Sequence, residues 1–190
     1  MTRAAPTASR TAAGSGAASP TGAIVFSDIV GFTELTEAHG DDAALELVDR
    51  HGELARQVMR PGSRVVKELG DGLLLWFDRP DDALCAALDL QDRIAASPPP
   101  SGLPMWVRTG VHWGSPRRRG DDIIGHDVNL TSRVTALAAP GEVLCTESVV
   151  QAIHAAGTAP SGIELDALGE MFVKGVADPV PVYRVTRSRS

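Results

Sequence analysis

The chain is poor in aromatic residues, cysteine and positive charge, and each shortage removes a class of function. Aromatic residues make up 4% of its 190 residues, too few for the stacking platforms that hold single-stranded nucleic acid. Acids outnumber Lys and Arg by 24 to 18, giving a formal net charge of −6, so no basic face is expected to offset phosphate repulsion. A nucleic-acid partner is therefore not expected. The two cysteines, Cys85 and Cys145, lack CxxC spacing, which excludes a thiolate zinc knuckle and a disulfide scaffold. Both read as reduced core residues. No apolar run approaches the roughly 18–20 residues of a membrane helix. A phosphate loop ending in GK[ST] is also missing.

What is present begins with a tail. Residues 1–22 are nearly all Ala, Ser, Thr, Gly and Pro, a composition that cannot repay the entropy of ordering. They are expected to be disordered, or the remnant of a linker, and they lack the apolar core of a secretory signal, which favours a cytoplasmic location. A single domain over residues 23–186, with a short tail at 187–190, follows from the length.

Within that domain the apolar spacing alternates between strand and helix periods. "AIVFSD" ends a strand at Asp28, and a tight turn and helix follow. "DDAALELVDRHGELARQVMRPG" predicts a helix with an apolar stripe of Leu45, Val48, Leu54, Val58 and Met59, stopped by Pro61 and Gly62. "SRVVKELGDGLLLWF" predicts two strands joined by a hairpin at Gly70-Asp71-Gly72. A helix in "RPDDALCAALDLQDRIAAS" and a strand in "MWVRTGVHWG" complete a βαββαβ series. The expected class is α+β, a ferredoxin-like core with an antiparallel sheet and helices on one face. "HDVNLTSRVTALA" and "SVVQAIHAAG" add C-terminal helices, and "GEVLCTES" and "VPVYRV" add strands.

Asp28 and Asp71 both fall at strand corners, and the hairpin could bring them together at one edge. Adjacent carboxylates repel unless a cation lies between them, and oxygen-only ligation suits Mg²⁺ or Mn²⁺. Taken singly, each reads more readily as a turn-forming aspartate. Their company decides. "FSDIVGFT", "VVKELGDG" and "DDIIGHDVNLTSR", in this order and at these separations, resemble the catalytic domain of class III adenylate and guanylate cyclases from about Ala23 to Val185.

That resemblance implies that Asp28, Asp71 and the main-chain carbonyl of Ile29 bind two Mg²⁺ or Mn²⁺ ions. It implies that Lys67 and Asp122 read adenine, that Asn129 and Arg133 act on the transition state, and that Lys174 holds the terminal phosphates. Lys can donate to adenine N1 while a carboxylate accepts from the N6 amine, an order that guanine reverses. The implied substrate is ATP and the implied product 3′,5′-cyclic AMP, made in a homodimer whose two active sites each draw on both chains. The alternatives are a guanylate or relaxed-specificity cyclase, and a catalytically silent cyclase-like module that dimerises or regulates. Between "GVHWG" and "DDIIG" only "SPRRRG" intervenes, a shortened arm that resembles a bacterial subgroup; its arginines read first as a solvated hairpin tip, with a partner-chain contact and phosphate-steering charge as the alternatives. Trp76 and Trp113 read as core residues, and His112 and His126 flank the site region.

Overall fold

A computed structural model of the protein describes residues 20–158 and 160–188, so most of the expected tail lies outside the described residues. Strand β1 (Gly22–Ile29) already begins at Gly22, where the absent side chain makes room for the indole of Trp76. Two helices follow, α1 (Phe32–His39) and α2 (Asp41–Gln57), and then the hairpin of β2 (Ser63–Leu69) and β3 (Gly72–Phe77). Its two-residue turn needs Gly70 at φ +69°, a conformation costly for any residue with a Cβ. Helix α3 (Pro80–Ala96) opens with Pro80 at its start and Asp81 and Asp82 in its first turn, all suited to a helix N-terminus. Strand β4 (Val107–Gly114) returns beside β1.

These elements form the expected ferredoxin-type half, with strands in the order β2-β3-β1-β4 and antiparallel throughout. The chain then adds a small hairpin, β5 (Arg117–Arg119) and β6 (Asp122–Ile124), and helix α4 (His126–Leu137). Next come β7 (Val143–Thr146), α5 (Glu147–Ala156), β8 (Ile163–Met171) and β9 (Val180–Arg187). The full sheet has seven strands, β2-β3-β1-β4-β7-β9-β8.

The added elements depart from the antiparallel, one-sided pattern of that half, and two expectations need correcting. The sheet is mixed, because β7 pairs parallel to β4. Helices cover both faces. The larger core joins α2, α3 and α5 to Val25, Val107 and Val111, while Val128 of α4 packs with Ile24, Leu74 and Trp76 on the opposite side. Strand β8 escaped the sequence reading because it is a half-exposed edge, IELDALGEM, with an irregularity between Ala167 and Gly169, and so lacks a clean alternation. The buried stripe of α2 is Ala44, Leu47, His51, Leu54 and Ala55, with Val48 and, past the helix end, Val58 and Met59 packed against the same core as expected; Leu45 instead points outward at 59% exposure. In addition, β9 runs one residue past the expected domain end, and Cys85 is only half-buried while Cys145 is buried, both as free thiols. Trp76 is a core residue, and Trp113 packs against the core partly buried. Among the described residues no helix is long and apolar enough to cross a membrane.

Two glycines on β4 set how closely α4 approaches. A Cβ on Gly110 would lie 2.7 Å from the Thr135 main-chain nitrogen, and one on Gly114 would lie 2.7 Å from Asp127 Cγ. Their spacing, VRTGVHWG, puts both on the α4 face of the strand. Gly110→Ala should therefore push the helix off the sheet and lower the unfolding free energy by about 1–3 kcal/mol. Gly52→Ala in α2, whose new methyl would meet only the flexible Arg56 guanidinium at 3.1 Å, should be neutral or gain up to about 1 kcal/mol. Denaturant titration of the two variants checks the contrast, and equal effects would contradict it.

Candidate active site

Strand pairing builds the acidic corner. Asp28 is paired through register with Gly72 on one side and Arg108 on the other. The next residue, Ile29, donates its N–H to the Asp71 carbonyl at 3.2 Å. Both sequence-predicted acids are thus brought to one edge. Gly72 leaves room here, since a Cβ would stand 3.4 Å from Asp28 Oδ1. Ile29 itself is buried and faces the larger core.

The corner is short of positive charge. Burial and the Asp28 carboxylate raise the pKa of Asp71 above its ordinary value, outweighing the pull of Arg108. The sequence reading missed Arg108, which donates from Nε and Nη2 to Asp28 Oδ2 at 2.9 and 2.7 Å. The available signal was strand alternation: Arg108, Gly110, His112 and Gly114 share one face of β4. A cleft of about 290 Å³ opens at this point, lined by Phe26, Asp28, Leu69, Arg108, Ser132 and Thr135 among others.

The remaining predicted residues gather elsewhere. A bulge between Val65 and Lys67 reaims β2, and Lys67 Nζ donates to Asp122 Oδ2 at 2.8 Å. The bond to Lys67 holds the Asp122 carboxyl below the usual carboxylate range. Arg64 of the same strand donates to the Asp121 carbonyl at 2.6 Å, anchoring the β5–β6 hairpin whose exposed arginines form its other strand. Asn129 and Arg133 stand one turn apart on α4, the first exposed and the second half-buried. The Arg133 guanidinium lies over Gly175, where a Cβ would come within 3.3 Å of Cζ. Lys174, next to that glycine, is exposed in the β8–β9 connection. Among the described residues neither Arg133 nor Lys174 has an ion-pair partner. None of Lys67, Asp122, Asn129, Arg133 and Lys174 lines the cleft at Asp28.

His112, by contrast, is buried among Thr146, Ser148 and Asp127 and accounts for packing between β4 and its neighbours. Among the described residues no three His, Cys, Asp or Glu side chains converge as a metal cluster, so an ion at the acidic corner would draw on two carboxylates, main-chain oxygen and ligands from solvent or substrate.

This arrangement sits on a fold already represented among nucleotide cyclases. A family model for the adenylate and guanylate cyclase catalytic domain matches residues 18–186, and the chain belongs to that family. A pH-sensitive adenylate cyclase of Mycobacterium tuberculosis is 33% identical over 166 residues, 86% of this chain and 40% of that protein. An adenylate cyclase of Streptomyces coelicolor is 30% identical over 85% of this chain and 42% of its own length. The chain spans about two-fifths of the length of these curated relatives. Among solved structures, the adenylyl cyclase CyaB of P. aeruginosa superposes with a TM-score of 0.67 at 26% identity, covering 89% of this chain and 95% of that one. The architecture is the α+β nucleotide cyclase fold.

The Asp28–Arg108 contact has a measurable weight. Its side chains are 27% and 32% exposed, and its two-point geometry favours a real contribution, so Arg108→Ala should destabilise the chain by about 1 kcal/mol. In a cycle with Asp28→Ala, the double variant should be no less stable than Arg108→Ala. Additive losses in denaturant titrations would show that the pair is not coupled.

Proposed function

We propose that the chain is the catalytic domain of an adenylate cyclase, converting ATP to 3′,5′-cyclic AMP and pyrophosphate in a homodimer with two shared sites. The observation that carries the substrate is the Lys67–Asp122 pair, an ammonium and a carboxylate 2.8 Å apart. Adenine presents its N1 acceptor beside its N6 donor, and this pair offers the complementary donor beside an acceptor; guanine would meet the opposite order. The adenylate cyclases among the relatives support the same choice.

Asp28, Asp71 and the main-chain carbonyl of Ile29 would hold two Mg²⁺ or Mn²⁺ ions. Their fit rests on hard oxygen donors at a corner where Asp71 is already driven toward protonation by burial and by its neighbour. When bound, the ions supply Lewis-acid chemistry, making the ribose 3′-hydroxyl more acidic and neutralising the triphosphate. The chain's own groups do the rest. Asn129 orients the ribose so that its 3′-oxygen faces the α-phosphorus, and Arg133 stabilises the charge that builds on the α-phosphoryl oxygens as the bond to pyrophosphate breaks. Lys174 neutralises the leaving pyrophosphate.

Sharing of the site between two chains is supported by what one chain does not bring together. Within one chain Lys67 and Asp122 pair with each other and Arg133 stands over Gly175, so none of these makes a contact with Asp28 or Asp71, which fits their being supplied by a second copy.

Purified protein given Mn²⁺ with ATP or GTP in parallel should form cyclic AMP faster than cyclic GMP, with a rate per chain that rises with protein concentration. Faster cyclic GMP formation would reject the substrate assignment. Asp71→Ala and Arg133→Ala should each lose at least about 10²-fold in turnover. Mixed in equal amounts, they should recover about a quarter of wild-type activity, because half of the dimers then carry one intact site of two. No recovery would reject the shared site. Lys67→Ala and Asp122→Ala should change stability by less than about 1 kcal/mol, their pair being about a third exposed, while narrowing the preference for ATP over GTP.

A further inference from the structure

Beneath the acidic corner, on the opposite face of the sheet, lies a buried polar pair with no place in the chemistry above. His51 occupies a core position in the stripe of α2 at 1% exposure, and Ser27, at 0%, precedes Asp28 on β1. Strand alternation sends Ser27 toward the helices and Asp28 toward the cleft. His51 Nε2 and Ser27 Oγ are 2.8 Å apart. The imidazole also meets the main-chain carbonyl of Asp71.

Burial lowers the His51 pKa to about 4, even though the Asp71 carbonyl and the Asp28 carboxylate pull the other way. A carbonyl can only accept, so an imidazole N–H faces Asp71, while Nε2 shares a hydrogen bond with the Ser27 hydroxyl. An apolar side chain would fill this slot of the stripe without needing partners, whereas an imidazole buried here must satisfy both nitrogens. It does so on the two segments that carry Asp28 and Asp71.

We propose that His51, together with Ser27, is a positioning residue that ties the end of β1 to the β2–β3 turn and so fixes the separation of the Asp28 and Asp71 carboxylates. The tie is needed because the two acids repel. Across this junction the main chain contributes the 3.2 Å bond from Ile29 N–H to the Asp71 carbonyl, at the long end of the hydrogen-bond range. The imidazole adds a second link to that carbonyl and anchors it to β1 through Ser27. Supporting shells of this kind set how well ligands converge on an ion. The inference rests on reading Asp28 and Asp71 as the metal site.

The test uses the full chain and Mn²⁺ alone, with free Mn²⁺ followed by electron paramagnetic resonance. Amide hydrogen exchange at Ile29 and denaturant stability are measured in parallel. His51→Leu should remain folded, bind Mn²⁺ at least about tenfold more weakly, and exchange the Ile29 amide faster. His51→Asn, whose side-chain amide also offers a donor and an acceptor, should recover much of the Mn²⁺ affinity. Ser27→Ala should weaken Mn²⁺ binding by a smaller factor. A purely structural role predicts a change in stability with Mn²⁺ affinity untouched, and folded variants that bind Mn²⁺ like the wild type overturn the proposal. If His51→Leu does not fold, Ser27→Ala decides by the same readings. Wild-type protein that binds no Mn²⁺ would overturn the metal site itself, and the positioning role with it.

Discussion

The register of β1 is the constraint on which the rest depends. As the strand between β3 and β4, it is pinned from both sides, with Asp28 opposite Gly72 and Arg108. Because successive side chains alternate, a slip of one residue would exchange the two faces, putting Asp28 among the core helices and Ser27 in the cleft. The apolar residues Ala23, Val25 and Ile29, all buried on the helix side, make such a slip prohibitively costly. Hydrophobic burial on one face thus positions a carboxylate on the other.

Electrostatics then govern the edge. Burial and the neighbouring Asp28 carboxylate disfavour ionisation of Asp71, and Arg108 compensates only part of the charge. Lys67 and Asp122 satisfy each other about the β2 bulge, away from this corner. Arg133 and Lys174 form a third grouping, joined through the backbone at Gly175 and without acidic partners among the described residues. Cations without anions in one place and anions short of cations in another are complementary surfaces, the arrangement that the proposed two-chain site calls for.

Packing ties these groups together. Gly110 and Gly114 let α4 settle on β4, and that approach sets where Asn129 and Arg133 stand relative to the sheet. On the other face, α2 gives one position of its apolar stripe to His51 instead of an aliphatic residue, spending core hydrophobicity on a polar link between β1 and the hairpin turn.

Much of this was legible in the sequence. The two strand corners, the hairpin glycines, the amphipathic helices and the order βαββαβ follow from local periodicity and turn chemistry, which act over a few residues and need no partner. The three segments around Asp28, Asp71 and Asn129 marked the family. Tertiary structure decided what local rules cannot reach. The parallel pairing of β7, the placement of α4 on the second face and the polar edge strand β8 depend on contacts between segments distant along the chain. So do the partners of single polar residues: Arg108 lies 80 positions from Asp28, and His51 lies 24 from Ser27. A sequence fixes which faces are apolar, but only the folded chain determines which polar groups those faces bring within hydrogen-bonding distance.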